Sequence, residues 1–179
     1  MEIIADPVKL QSDPLPKNLI DEISRFNTDE SFVFYNFPFY VGETTDEAVR
    51  AQVVLVSKKY GVLCFTCLSS SESSTESDHE NLDALDSHLF ARINKFSDLR
   101  KGKRDLKIKI TCKIFVSVKI NDPKFVFVTT DEIPQLIIEN ESDVLSDNEF
   151  RVLCSAIEGS DRLQKKKERI TAKPLSMGD

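Results

Sequence analysis

No stretch of this sequence approaches the ~20 consecutive apolar residues that cross a bilayer, and its first residues, Met1-Glu-Ile-Ile-Ala-Asp, lack the basic-then-apolar order of a secretory signal. Membrane contact and export are therefore not expected, and a cytoplasmic location is. Cysteine is sparse: Cys64, Cys67, Cys112 and Cys154 are too scattered for the disulfide framework of a small secreted domain, and three of them fall within apolar strand or helix patterns. A zinc knuckle is equally poorly supplied. Cys64-Phe-Thr-Cys67 has the spacing of a metal or redox pair, but residues three apart in a strand point to opposite faces, no second pair follows, and His79 and His88 lie past a polar loop. The chain has no Gly-x-x-x-x-Gly-Lys-Ser/Thr segment, which excludes ATP hydrolysis by a phosphate-cradling loop of that type. Positive charge is not in excess either. A formal net charge of −6 argues against a protein that coats nucleic acid over its whole surface.

What is present is enough for a core. With 179 residues, 40% of them hydrophobic and 30% charged, the chain is expected to form one domain over residues 1–158, followed by a charged tail or linker at 159–179. The charge is uneven: Arg92 to Lys119 holds ten Lys/Arg and two Asp, whereas Asp131 to Glu149 holds seven acids and no base. Leu19, Ile20, Ile23 and Phe26 share one helical face behind Pro16, and Ser31 to Phe37 reads as a strand that Pro38 stops. The Ser/Glu-rich stretch 69–81 has no apolar anchor and reads as a mobile loop. Helical spacing follows from Leu82 to Leu99, with Gly102 as a stop. Leu106 to Ile120 alternates with a period of two, the pattern of one long or bent strand whose lysines suit a sheet edge. Phe125–Val128 reads as a short strand, and Ile133–Ile138 and Asp147–Ile157 read as helices.

The segment with the most specific pattern is Gln52-Val-Val-Leu-Val-Ser-Lys-Lys-Tyr60-Gly61-Val-Leu-Cys64-Phe65-Thr66-Cys67-Leu68: an apolar strand, a basic turn closed by glycine, and a second apolar strand. It resembles the nuclease-related domain of the PD-(D/E)xK superfamily. In that family the first strand opens with Asp and the second bears Glu-x-Lys near its end; laid on this hairpin without gaps, those positions fall on Gln52, Thr66 and Leu68. The resemblance implies an α/β, restriction-endonuclease-like αβββαβ core with a central mixed sheet, here with extra C-terminal helices. Leu82–Leu106 resembles the helix after the Glu-x-Lys strand, and Leu145–Gly159 resembles the segment that joins such domains to superfamily 1 helicase cores. A helicase domain, following Asp179 or acting in trans, is the partner this implies, and by the same analogy the setting is DNA repair or defence against phage.

A nuclease of this class needs two carboxylates to hold Mg²⁺ and a lysine to position water. Gln52, Thr66 and Leu68 supply an amide, a hydroxyl and an alkyl group. No catalytic residue and no cofactor are therefore expected, and the first reading is a catalytically degenerate accessory domain for nucleic-acid binding or complex assembly. Its candidate nucleic-acid contacts are Arg100, Lys101, Lys103, Arg104 and Lys107, flanking Gly102, although a lysine-bearing strand face is also an ordinary solvated surface. A second reading is an active Mg²⁺-dependent nuclease whose ligands have moved to Glu43, Asp46, Glu47 or Glu72. A third is a protein-interaction module without affinity for DNA, in which the basic stretch meets an acidic partner such as the Asp131–Glu149 region of a second copy.

Overall fold

A computed structural model describes residues 1–26, 30–40, 48–68, 76–119 and 126–158. Its elements in chain order are β1 (Glu2–Ile4), α1 (Pro7–Gln11), α2 (Pro14–Phe26), β2 (Ser31–Tyr40), β3 (Ala48–Ser57), β4 (Gly61–Cys67), α3 (Glu76–Asn94), β5 (Arg100–Lys101), β6 (Asp105–Leu106), β7 (Ile110–Phe115), β8 (Phe127–Val128), α4 (Ile133–Glu139) and α5 (Asp147–Glu158). The continuous Val/Leu runs of β3 and β4 make sense once both faces of the sheet are covered. Val54, Val56, Val62 and Cys64 meet α3 and α5 through Leu85, Leu89, Ile93 and Leu153. Val53, Leu55, Leu63 and Phe65 meet α2 and α4 through Leu19, Ile20, Ile23, Ile133 and Ile137. The result is a mixed α/β fold with a central six-stranded sheet in the order β1-β2-β3-β4-β7-β8, and helices on either side.

Strands β2, β3 and β4 form an antiparallel meander, while β4, β7 and β8 run parallel. A parallel neighbour requires a crossover, and α3 provides it. One end of β4 is locked by a turn. Gly61 has φ +70, and a Cβ there would lie 2.4 Å from the Lys109 carbonyl oxygen, so glycine is required both by conformation and by space. Asn140, only 2% exposed, packs at the same point. Its amide nitrogen donates to the carbonyls of Tyr60 (2.6 Å), Lys109 (3.2 Å) and Val62 (3.3 Å), and its oxygen accepts from the Thr111 hydroxyl at 2.5 Å. A single side chain thus ties the β3–β4 turn, the start of β7 and the end of α4.

Several expectations are corrected. Pro38 does not stop β2, which continues to Tyr40. Strand β1 covers β2 only at Phe32, Val33 and Phe34, so the later part of β2 is an edge, where proline is tolerated. The helix expected to reach Leu99 ends at Asn94 and gives way to a 3₁₀ turn at Ser97–Leu99. It begins at Glu76, so residues 76–81 of the expected loop are helical, with Asp78 and Glu80 near the positive helix end and the His79 ring edge-on to Phe127 at 6.0 Å; residues 69–75 lie outside the described set. Gly102, with φ +84, closes the β5–β6 hairpin instead of a helix. The period-two stretch from Leu106 is divided between β6 and β7, and β7 is an interior strand between β4 and β8. Its alternate polar positions are matched inside the protein: Thr111 meets Asn140, and Lys113 lines a cleft with Glu132, Gln135 and Glu139. The strand expected at Phe125–Val128 is described only over Phe127–Val128. The tail at 159–179 lies outside the described residues.

Candidate functional site

The far end of β4 holds the three positions singled out in the hairpin. The β3–β4 ladder has Val53 opposite Phe65 as its last registered pair, and Gln52 and Thr66 follow it on the two strands. Beyond that pair the Gln52 side chain takes over from the backbone: its amide oxygen accepts a hydrogen bond from the Cys67 N–H at 3.2 Å. The neighbouring strand is irregular at the same level. Tyr35 pairs with Val53 and Phe37 with Ala51, while Asn36 between them is exposed and has φ +56. That kink brings the Phe34 and Phe37 rings to 5.0 Å on one face.

Thr66 is 9% exposed, and among the described residues its buried hydroxyl has no hydrogen-bond partner. It stands opposite Ile114 of β7. Leu68 is just past the strand end and packs with Leu82, Ile114, Val116 and Phe127. The fold therefore places Gln52 and Thr66 side by side and Leu68 in an adjoining apolar cluster. An engaged amide, an unpaired hydroxyl and a methyl-rich plug cannot neutralise a hard divalent ion, which needs carboxylate oxygens to offset its dehydration. Among the described residues no cluster of three or more His, Cys, Asp or Glu is placed to hold a metal. Glu43, Asp46, Glu47 and Glu72 lie outside the described residues.

The remaining candidates from the sequence are distributed as follows. Cys64 is buried towards α3 and α5, whereas Cys67 packs against the α2 and α4 layer, so the two are on opposite faces. His88 is held below the ordinary imidazole range, first by burial and then by Arg92 and Lys95. Arg100, Lys101, Lys103, Arg104 and Lys107 are gathered by the β5–β6 hairpin, which is tied back by the Lys107 N–H to the Leu99 carbonyl at 2.8 Å. They are not equivalent. Lys107 pairs with Glu149 and Lys101 with Asp143 at 3.7 Å. Lys103 and Arg104 are exposed at the tip, beside Gly102, where a Cβ would meet open space.

The sequence separated a basic stretch from an acidic one, and the fold brings them together. Besides the pairs at Lys101 and Lys107, Lys119 meets Glu132 at 3.1 Å, and Lys58 and Lys59 in the β3–β4 turn meet Asp147 and, at 3.7 Å, Glu141. The positive surface that remains centres on the hairpin tip. Residues just before it in the chain help to line a cleft of about 410 Å³, formed by Lys95, Phe96, Ser97, Asp98, Arg151, Val152 and Ser155. Sequence reasoning missed Arg151, because nothing in the α5 pattern indicates that its outer face borders the end of α3. No helix among the described residues is long and apolar enough to cross a membrane. No protein-family model matches the chain, nor does any curated protein sequence or solved structure.

Proposed function

We propose that this chain is a catalytically degenerate nuclease-like domain of the PD-(D/E)xK type that binds nucleic-acid phosphates as an accessory to a helicase-type DNA-processing activity, in repair or phage defence. The observation that supports it most is topological: α2, the β2–β3–β4 meander, α3 and then β7 parallel to β4 follow the αβββαβ order implied by the hairpin resemblance. Two neutral residues, Gln52 and Thr66, adjoin at the strand ends where that family keeps its carboxylates, and Leu68 takes the position of its lysine. Binding without cutting is the chemistry these side chains support. Phosphate contact falls to Lys103 and Arg104, with Arg100 beside them, because Lys101 and Lys107 are engaged by acids.

A salt titration of DNA affinity tests this reading. The logarithm of affinity should fall linearly with the logarithm of salt, and Lys103→Glu with Arg104→Glu should weaken binding and reduce the slope by about 2. Sequence preference should be slight, since the hairpin has no aromatic residue on which a base could stack. If neither duplex nor single-stranded DNA binds at low salt, where attraction is strongest, the domain is a protein-interaction module. The pairing of basic with acidic segments within the chain favours that second reading.

A further inference from the structure

We infer that Cys64 and Cys112 form a built-in dithiol that hydrogen peroxide converts to a disulfide linking β4 to β7, which a dithiol reverses. The two residues are direct register partners on adjacent parallel strands. Strand neighbours lie ~4.8 Å apart, within the ~4.4–6.8 Å range of Cα separations that a disulfide spans. Both side chains join the layer under α3 and α5, with Cys64 in the core and Cys112 packed against it. Register partners on neighbouring strands carry their side chains on the same face, so the two thiols face one another across a single strand spacing. Neither Cys67, on the opposite face, nor Cys154, on α5, has a cysteine as a strand partner.

Accessibility dictates the order of events. Cys64 is fully buried and burial holds its thiol well above the usual range, whereas Cys112 is partly exposed and takes the first step. The Cys112 thiolate attacks one oxygen of the peroxide; the S–O bond forms, the O–O bond breaks, and the departing hydroxide takes a proton to become water. The Cys64 sulfur then attacks the sulfenic sulfur; the S–S bond forms, the S–O bond breaks, and the proton lost by Cys64 leaves with the oxygen as a second water. Two thiols are oxidised and one peroxide is reduced to two waters. The only co-reactant is hydrogen peroxide, small enough to meet the partly exposed Cys112. The bridge would sit two residues from Thr66, so oxidation would stiffen the strand end proposed above as the degenerate site.

The test is peptide mapping of the folded protein after limiting hydrogen peroxide, with free thiols alkylated after unfolding. The expected result is a linked pair of peptides containing Cys64 and Cys112, lost on treatment with dithiothreitol, with Cys67 and Cys154 alkylated as in untreated protein. A Cys67→Ser, Cys154→Ser variant should retain the link, Cys112→Ser should abolish it, and the oxidised wild type should unfold at a higher temperature than the reduced. Mapping on the wild type does not depend on any variant folding. Recovery of Cys64 and Cys112 as two free thiols, or disulfides joining separate chains, would overturn the inference. Formation of the link only in urea would do the same.

Discussion

The two ends of β4 use similar side chains for opposite ends. At the turn, one amide, Asn140, makes four hydrogen bonds that tie three backbone carbonyls and the Thr111 hydroxyl together, although the Ser142 hydroxyl nearby is buried without a partner among the described residues. At the far end another amide, Gln52, accepts one bond, and the Thr66 hydroxyl beside it is buried without one among the described residues. The difference teaches where the fold is specified and where it is only tolerated. A buried polar group left without a partner costs of order 1–3 kcal/mol, and such costs persist where the surroundings once answered to something other than stability. Under the proposed function, that cost falls at the strand end where the nuclease-related family keeps its carboxylates.

Mutations can break this comparison in order of expected size. Gly61→Ala should be the most damaging, because its Cβ would stand 2.4 Å from the Lys109 carbonyl oxygen in a backbone with φ +70; a loss of about 3 kcal/mol or more in urea unfolding is expected. Asn140→Ala should cost roughly 2–3 kcal/mol by stranding the carbonyls of Tyr60, Val62 and Lys109, and hydrogen exchange should rise at the start of β7. At the other end the sign reverses. Thr66→Val keeps the shape and removes the unpaired hydroxyl, so stability should stay level or rise by about 1 kcal/mol. A fall of several kcal/mol in that variant would erase the contrast between the two ends.

The smallest effect is that of acid. Glu149 is held below its ordinary value of 4.5, first by Lys107 and then by the Ser146 N–H. For Glu132 burial pushes upward, but the Thr129 N–H and Lys119 outweigh it and the net direction is down. Folded values below unfolded ones mean that the stabilisation is complete above the ordinary value of 4.5 and is lost as pH falls through the depressed folded values. Both groups are near the surface, so the loss should be shallow, of order 1 kcal/mol in total. Asp86 opposes it, since burial and then Asp83 raise its carboxyl. Lys107→Met should shrink, but not abolish, the Glu149 part of the acid slope in urea titrations at successive pH values, because the Ser146 N–H remains.

Much of the architecture was legible because it is written in local periodicity. The faces of α2, α4 and α5 and the apolar β3–β4 hairpin are visible in stretches of a dozen residues, and each lies where its spacing indicates. Pro38 and Gly102 misled because their effect depends on what lies beside them: an uncovered strand edge in one case, a two-stranded hairpin in the other. The lysine-bearing alternation before Ile120 has the same period on an edge as in an interior strand whose polar positions find internal partners. Asn140 was invisible for a stronger reason, since its carbonyl partner Tyr60 is 80 residues away in sequence. At the candidate site the residue identities were plain, but the hydrogen bond from the Cys67 N–H to Gln52 and the pairing of Lys101 and Lys107 with distant acids required the fold.

The proposed function requires the Gln52–Thr66 end to have a nuclease-like frame without the charge needed to hold a metal. Calorimetric titration of the chain with Mn²⁺, run alongside a plasmid-nicking assay in the same buffer, tests it most directly. No saturable heat at that site and intact supercoiled plasmid are expected, with neither result altered by Gln52→Ala or Thr66→Ala. Stoichiometric Mn²⁺ binding together with nicking that a chelator abolishes, and that alanine at Glu43 or Glu47 removes, would contradict it and make this chain an active nuclease with relocated ligands.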